Sequence, residues 1–114
     1  MIAVIFEVIL NKEKTESYLQ IAAKIGENLK EMDGFISVER FQSLSEPEKL
    51  LSLSFWRDED SIKEWRNLEA HRLAQQAGRN SIFADYRLRI AQVNRDYSKT
   101  SRDEAPKDSR EIHG

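Results

Sequence analysis

Two tryptophans and one of the two histidines fall within a single stretch, LSFWRDEDSIKEWRNLEAHRLAQQ, residues 53–76. Trp56 closes an alternating segment, Trp65 lies on a helical stripe with Ile62, and His71 follows shortly after. Flat indoles suit flat aromatic ligands through offset stacking. Imidazole titrates near neutral pH, which suits proton transfer. Together the three form one wall of an apolar pocket, with His71 placed to accept a proton from a bound ring. Each also has a plain structural counterpart: core packing for the indoles, and a surface or capping role for the histidine.

Arg40, Arg72, Arg87 and Arg89 could steady a phenolate or enolate by charge-assisted hydrogen bonds. Asn11 and Glu39 are further polar candidates. Arg87 and Arg89 share a face with Asp85 and are equally suited to ion pairing. Glu7, set in an apolar run, reads as a paired carboxylate near a sheet edge or as a pocket acid. There is no phosphate-cradling glycine loop, nucleotide fingerprint or metal-ligand spacing. Asn67 and Gln75 stand four residues either side of His71, so no carboxylate joins it at helical spacing. Neither a metal nor another cofactor is expected.

The elements that must hold these residues follow from periodicity. Ile2 to Leu10 is a β-branched apolar run that suits a central strand covered on both faces. Lys12 to Met32 switches to helical spacing, with Tyr18, Ile21, Ala22, Ile25, Leu29 and Met32 on one stripe. Asp33-Gly34 ends it, and Gly26 inside it suggests close approach to the sheet. Phe35 to Leu44 and Leu50 to Trp56 alternate around a Ser45-Glu46-Pro47-Glu48 turn, forming a hairpin. Asp58 caps a second helix with Glu59 and Asp60 in its first turn; its stripe drifts near Asn67, where a kink or a break is expected, and Gly78 stops it. Ser81 to Val93 alternates again. Beyond Tyr97 the chain is almost wholly polar, so residues 98–114 are expected to form a disordered charged tail after a domain spanning 1–97. His113 lies in that tail and is a poor site candidate.

Strand, helix, strand, strand, helix, strand is a split βαβ order. The expected fold is α+β, a ferredoxin-like βαββαβ unit with a four-stranded antiparallel sheet and both helices on one face. The other face would carry several of Phe35, Phe41, Trp56, Ala3, Ile5, Ile9, Phe83 and Val93, more apolar surface than a monomer normally exposes. A second copy of the same sheet is the economical cover, giving a homodimer.

Composition narrows the partners. The 114 residues fit one domain, and a net charge of −2 from 18 basic and 20 acidic residues gives no field for nucleic acid or an anionic membrane. Cysteine is absent, which excludes disulfides, thiolate sites and a cysteine nucleophile and agrees with a cytoplasmic protein. The N-terminal MIAVIFEVIL has no basic leader, contains Glu7 and is too short to span a bilayer.

The segment SFWRDEDSIKEWRNLEAHRLAQQAGR, with GFISVERFQSL before it and FADYRLRIAQVNRDY after it, resembles the antibiotic biosynthesis monooxygenase family over about residues 1–97. The resemblance implies a ferredoxin-like unit that pairs face to face as a dimeric α+β barrel. It also implies a cofactor-independent monooxygenase acting with dioxygen on a small aromatic or quinone-like substrate, which once deprotonated reduces the dioxygen itself. Members with no known reaction leave a second possibility, a non-catalytic binding or stress-response module. The haem-degrading branch carries an Asn on the first strand, a Trp on the second helix and a His ten residues later. Trp65 matches, but Gln75 stands where the His would be and no Asn precedes Asn11. Haem degradation is therefore disfavoured.

Overall fold

The computed structural model describes residues 1–68 and 82–113. Strands β1 (Ile2–Leu10), β2 (Phe35–Gln42), β3 (Lys49–Trp56) and β4 (Phe83–Gln92) form one antiparallel sheet in the order β2-β3-β1-β4. Helix α1 (Thr15–Leu29) and a second helix, α2, over residues 59–68 pack on the same face. The expected α+β ferredoxin-like topology is the one observed.

Helix α1 buries Tyr18, Ala22, Ile25 and Leu29, the spacing of a single stripe. It is shorter than the periodic stretch 12–32, because Asn11 O accepts from Lys14 N at the entry and Glu31 and Met32 close a tighter turn at the exit. Gly34 then takes φ +85° and hands the chain to β2. Gly26 departs from expectation: a Cβ there meets nothing within 4 Å, so no close approach to the sheet calls for a glycine.

Cross-strand register assigns the two faces. Ile2, Val4, Phe6 and Val8 stand beside Trp56, Ser54, Ser52 and Leu50 on the helix-covered face. Ala3, Ile5 and Glu7 stand beside Phe55, Leu53 and Leu51 on the other. This corrects the sequence reading at three residues. Trp56 is completely buried under the helices rather than on the uncovered face. Irregularities between Phe35 and Ser37 and opposite Ile9/Leu10 each insert one residue, turning Phe35 and Phe83 toward the helices as well.

Residues 107–113, inside the stretch whose composition suggests a disordered tail, form a short helix, α3 (Lys107–His113). Local contacts rather than a core account for it: the Arg110 guanidinium donates to the carbonyls of Arg102 and Asp103, Arg102 lies over the Tyr97 ring, and Ala105 is buried. Among the described residues no helix is long and apolar enough to cross a membrane.

Candidate functional site

The covered face holds two buried clusters. Ile2, Val4, Ile25, Leu29, Trp56, Ile62 and Trp65 fill one end, and Phe6, Val8, Leu10, Tyr18, Ala22, Leu50 and Ile82 fill the other. A small hollow lies along the seam, with Tyr18, Ala22, Ile25 and Leu29 of α1 as its roof. Its floor is Val38 and Arg40 of β2 with Ser52 and Ser54 of β3, and Trp65 of α2 closes its side. The free space is ≈ 10 Å³, about one water.

The hollow exists because β3 turns its serines inward. Ser54 is 3% exposed and stands beside Val4 and Val38, positions where a large apolar side chain would fill the space. Its hydroxyl accepts from Trp56 Nε1 at 2.9 Å, which fixes that indole. Trp56 in turn packs against Phe35 and Trp65, with ring centroids 5.3 and 5.9 Å away. Ser52 stands directly opposite Arg40 across the β2–β3 ladder.

Two side chains of this lining bury a donor that has no partner among the described residues. Trp65, 6% exposed, buries Nε1 without a hydrogen bond, and Arg40 buries Nε likewise. The other arm of the Arg40 guanidinium makes one long contact, Nη2 to the Ala22 carbonyl at 3.4 Å. Among the described residues the lining contains no carboxylate. A buried donor left unpaired costs roughly 1–3 kcal/mol, so two in one lining call for an explanation.

Helix α2, which carries Trp65, is anchored by a polar clamp outside the hollow. Asp58 Oδ1 accepts from Ser61 N at 2.9 Å and from the Ser61 hydroxyl at 2.7 Å, the expected N-cap. Arg57 bonds both oxygens of Asp33 at 3.1 Å and reaches Asp58 at 3.2 Å. The Ser61 hydroxyl and amide, with Arg57, hold the Asp58 carboxyl down to about 2, and Arg57 lowers Asp33 as well. The Arg57 amide also donates to Gly34 O at 2.8 Å, so the clamp ties the start of α2 to the start of β2.

The predicted site residues thus divide. Arg40 and Trp65 both line the hollow, and Trp56 backs Trp65 from the core. Arg87 is exposed on the uncovered face, opposite Glu7, while Arg89 pairs with Glu7 at 3.4 Å. Asn11 sits in the β1–α1 turn, its amide bonded to Ile82 O, away from the hollow lining. Glu7 pairs with Arg89 and Lys49 inside its own subunit. His71, Arg72 and the helix stop at Gly78 lie outside the described residues. Sequence reasoning missed Tyr18, Ser52 and Ser54. The two serines alternate with Leu51, Leu53 and Phe55, which reads as a wet face, and only register reveals that they point inward.

A four-stranded antiparallel sheet in this order with two helices on one face defines the ferredoxin-like α+β class. Residues 1–77 match the antibiotic biosynthesis monooxygenase family, and the chain belongs to that family. It is 46% identical over 93 residues, 82% of its length, to a jasmonate monooxygenase of Pyricularia oryzae, and spans 43% of that protein. It is 30% identical over 93 residues to the YqjZ protein of Bacillus subtilis, covering 79% of it. Among solved structures, a candidate antibiotic biosynthesis monooxygenase from Deinococcus radiodurans superposes with a TM-score of 0.73 at 13% identity, over 86% of this chain and 97% of that one. Rv0793 from Mycobacterium tuberculosis superposes at 0.70 and 15% identity, over 85% and 98%.

Proposed function

We propose that this protein is a cofactor-independent monooxygenase that oxidises a small, aromatic or quinone-like substrate with dioxygen. The observation that carries the reading is the hollow under α1, lined by an indole and a guanidinium whose buried donors have no partner among the described residues, in a chain of this family. The name of the Pyricularia oryzae relative supports the reaction class.

In this reading His71 accepts a proton from substrate carbon, and the anion reduces dioxygen. For a methylene substrate the balance is R2CH2 + O2 → R2CO + H2O, with both hydrogens leaving in the water. Trp65 stacks on the ring, Trp56 holds Trp65 in place, and Arg40 steadies the anion. Arg72 completes the candidate set as a polar contact of substrate entering or leaving, whereas Arg87 lies across the sheet from the hollow and Asn11 in the β1–α1 turn. The apolar lining excludes water, which strengthens the electrostatics and protects the carbanion. A ring needs more room than the ≈ 10 Å³ of the hollow, so in this reading substrate binding requires that space to widen.

The working unit in this proposal is a homodimer paired through the uncovered sheet face. Register puts Ile5 beside Leu53 and Leu51 beside Phe41, and Phe41 is 42% exposed. This apolar strip, flanked by Glu39 on β2 and Arg89 on β4, is what a second copy would cover. The cytoplasmic setting belongs to the same reading and rests on composition.

The test is oxygen uptake with a panel of anthrones, hydroquinones and jasmonate, comparing the parent with His71→Ala. Consumption that falls at least 100-fold in the variant is expected. Undiminished consumption removes His71 from its role. No consumption alongside tight binding makes the protein a binding module of the same fold.

A further inference from the structure

We infer that the free edge of β4 is a pairing surface for a second copy of this chain, the two β4 strands running antiparallel about a two-fold axis at Arg87. The inference rests on the homodimer reading above and gives that dimer its seam. β4 is an edge strand in the order β2-β3-β1-β4, and every residue from Ala84 to Gln92 is exposed. One hydrogen bond decides which of its backbone groups face outward. Val93 N–H donates to Met1 O at 3.0 Å, so Val93, Ala91, Arg89, Arg87 and Asp85 turn their N–H and C=O groups toward β1. Past the irregularity at Leu10, Asn11 N–H donates to Ile82 O and keeps the same alternation. Tyr86, Leu88 and Ile90 therefore present theirs to the open edge. Tyr86 N–H agrees, since it donates to the neighbouring Asp85 Oδ1 at 2.8 Å rather than to β1. Among the described residues no strand lies beyond this edge.

Bare edges are ordinarily blunted by proline, a bulge or charge of one sign. Residues 85–92 contain no proline, and the irregularity of the strand lies at its start. The charges it carries are of both signs, and they select the occupant and the register. Asp85, Arg87 and Arg89 alternate along the uncovered side, and Tyr86, Leu88 and Ile90 along the other. An axis at Arg87 sets Asp85 of each copy opposite Arg89 of the other, two ion pairs, and Tyr86 opposite Leu88, two apolar pairs. Arg87 meets its own counterpart, and Glu7 beside each Arg87 on β1 offsets those like charges. An axis at Leu88 instead sets Arg87 opposite Arg89 twice, and one at Tyr86 leaves Arg89 facing the irregular start of the strand. In the favoured register the N–H and C=O groups of Tyr86 and Leu88 exchange hydrogen bonds between copies. Asp85 then trades Tyr86 N–H for Arg89 of the second copy. The axis keeps both uncovered faces on one side of the joined eight strands, and their curl turns those faces toward each other.

The chain has no cysteine, so single cysteines placed in the full chain report the seam directly. Arg87→Cys, Asp85→Cys and Arg89→Cys are each treated with a mild oxidant, and the light-scattering mass of the parent is recorded alongside. Arg87→Cys is expected to form a disulfide-linked dimer, because opposed residues of a non-hydrogen-bonded pair stand about 4.5 Å apart at Cα. Asp85→Cys and Arg89→Cys are expected to link at least tenfold less when alone and to link to each other when mixed. Leu88→Pro removes an outward N–H and leaves the β1 ladder whole. It is expected to raise the dimer dissociation constant about tenfold at the circular dichroism of the parent. Equal linking at all three positions is collision without a register and overturns the inference, as does a parent-like dissociation constant for Leu88→Pro. No link at Arg87→Cys, with the parent at the mass of a dimer, gives the edge to another protein's strand or to water. That result defeats the seam and leaves the face-to-face dimer standing. A monomer mass for the parent removes the dimer and its seam together.

Discussion

The two faces of the sheet are built from the same strands and carry opposite burdens. Under the helices, the β3 row Leu50, Ser52, Ser54 and Trp56 is small in the middle and large at the ends. On the uncovered side the alternating row Leu51, Leu53 and Phe55 is uniformly apolar. By residue type alone the second row looks like core and the first looks half-wet, yet Ser54 is 3% exposed and the Leu-Leu-Phe row is only partly covered. Packing density explains the inversion. A covered face made only of large apolar residues leaves no room for a ligand, whereas paired serines leave a hollow that α1 roofs over. The uncovered face needs no such gap if its role is to meet another flat apolar sheet.

Substitutions separate these two burdens. The largest effect is expected on the covered side, where Trp56→Ala removes a fully buried indole that seats both Phe35 and Trp65. It should cost about 3–5 kcal/mol in chemical denaturation. On the other side, Leu53→Glu sets a charge beside Ile5 in the middle of the apolar face. It should weaken self-association about 100-fold, equivalent to about 2.7 kcal/mol, while far-ultraviolet circular dichroism stays that of the parent. A variant that unfolds instead would mean that the uncovered face is core.

The junction between the faces gives smaller effects. Gly34→Ala forces a side chain into φ +85° and against the Ser61 side chain, and should cost about 1–2 kcal/mol. The cap of α2 is sensitive to acid. Asp58 titrates at about 2 in the folded chain against its ordinary 3.8, so its contribution is fully present above pH 3.8 and is lost as pH falls through about 2. Urea midpoints measured from pH 5 to pH 2 should fall less steeply in Asp58→Ala than in the parent. Smallest of all, Gly26→Ala should stabilise α1 by about 0.5–1 kcal/mol, because the added methyl meets open space.

The same contrast marks what the sequence makes legible. Periodicity suffices for β1, α1, the hairpin and the Asp58 cap, since each is a local pattern with a local cause. Phe35 and Phe83 defeat it: one inserted residue in each ladder flips a side chain to the other face, and no composition signal announces the insertion. Trp56 and Arg40 are both recognisable as candidates by type, but their separation into core support and pocket wall depends on which way β3 faces. Ser52 and Ser54 pass unnoticed because a serine in an alternating strand ordinarily marks water. Helix α3 is the converse case, where a run too polar to form a core still orders seven residues through Arg110 and Arg102.

The central claim is that the covered face holds the reactive site and the uncovered face the partner. Oxygen uptake by Arg40→Met, recorded with the light-scattering mass of the same sample, tests it most directly. The account predicts a rate at least tenfold below the parent at the mass of a dimer. A parent-like rate, or a monomer mass for the parent protein itself, would contradict it.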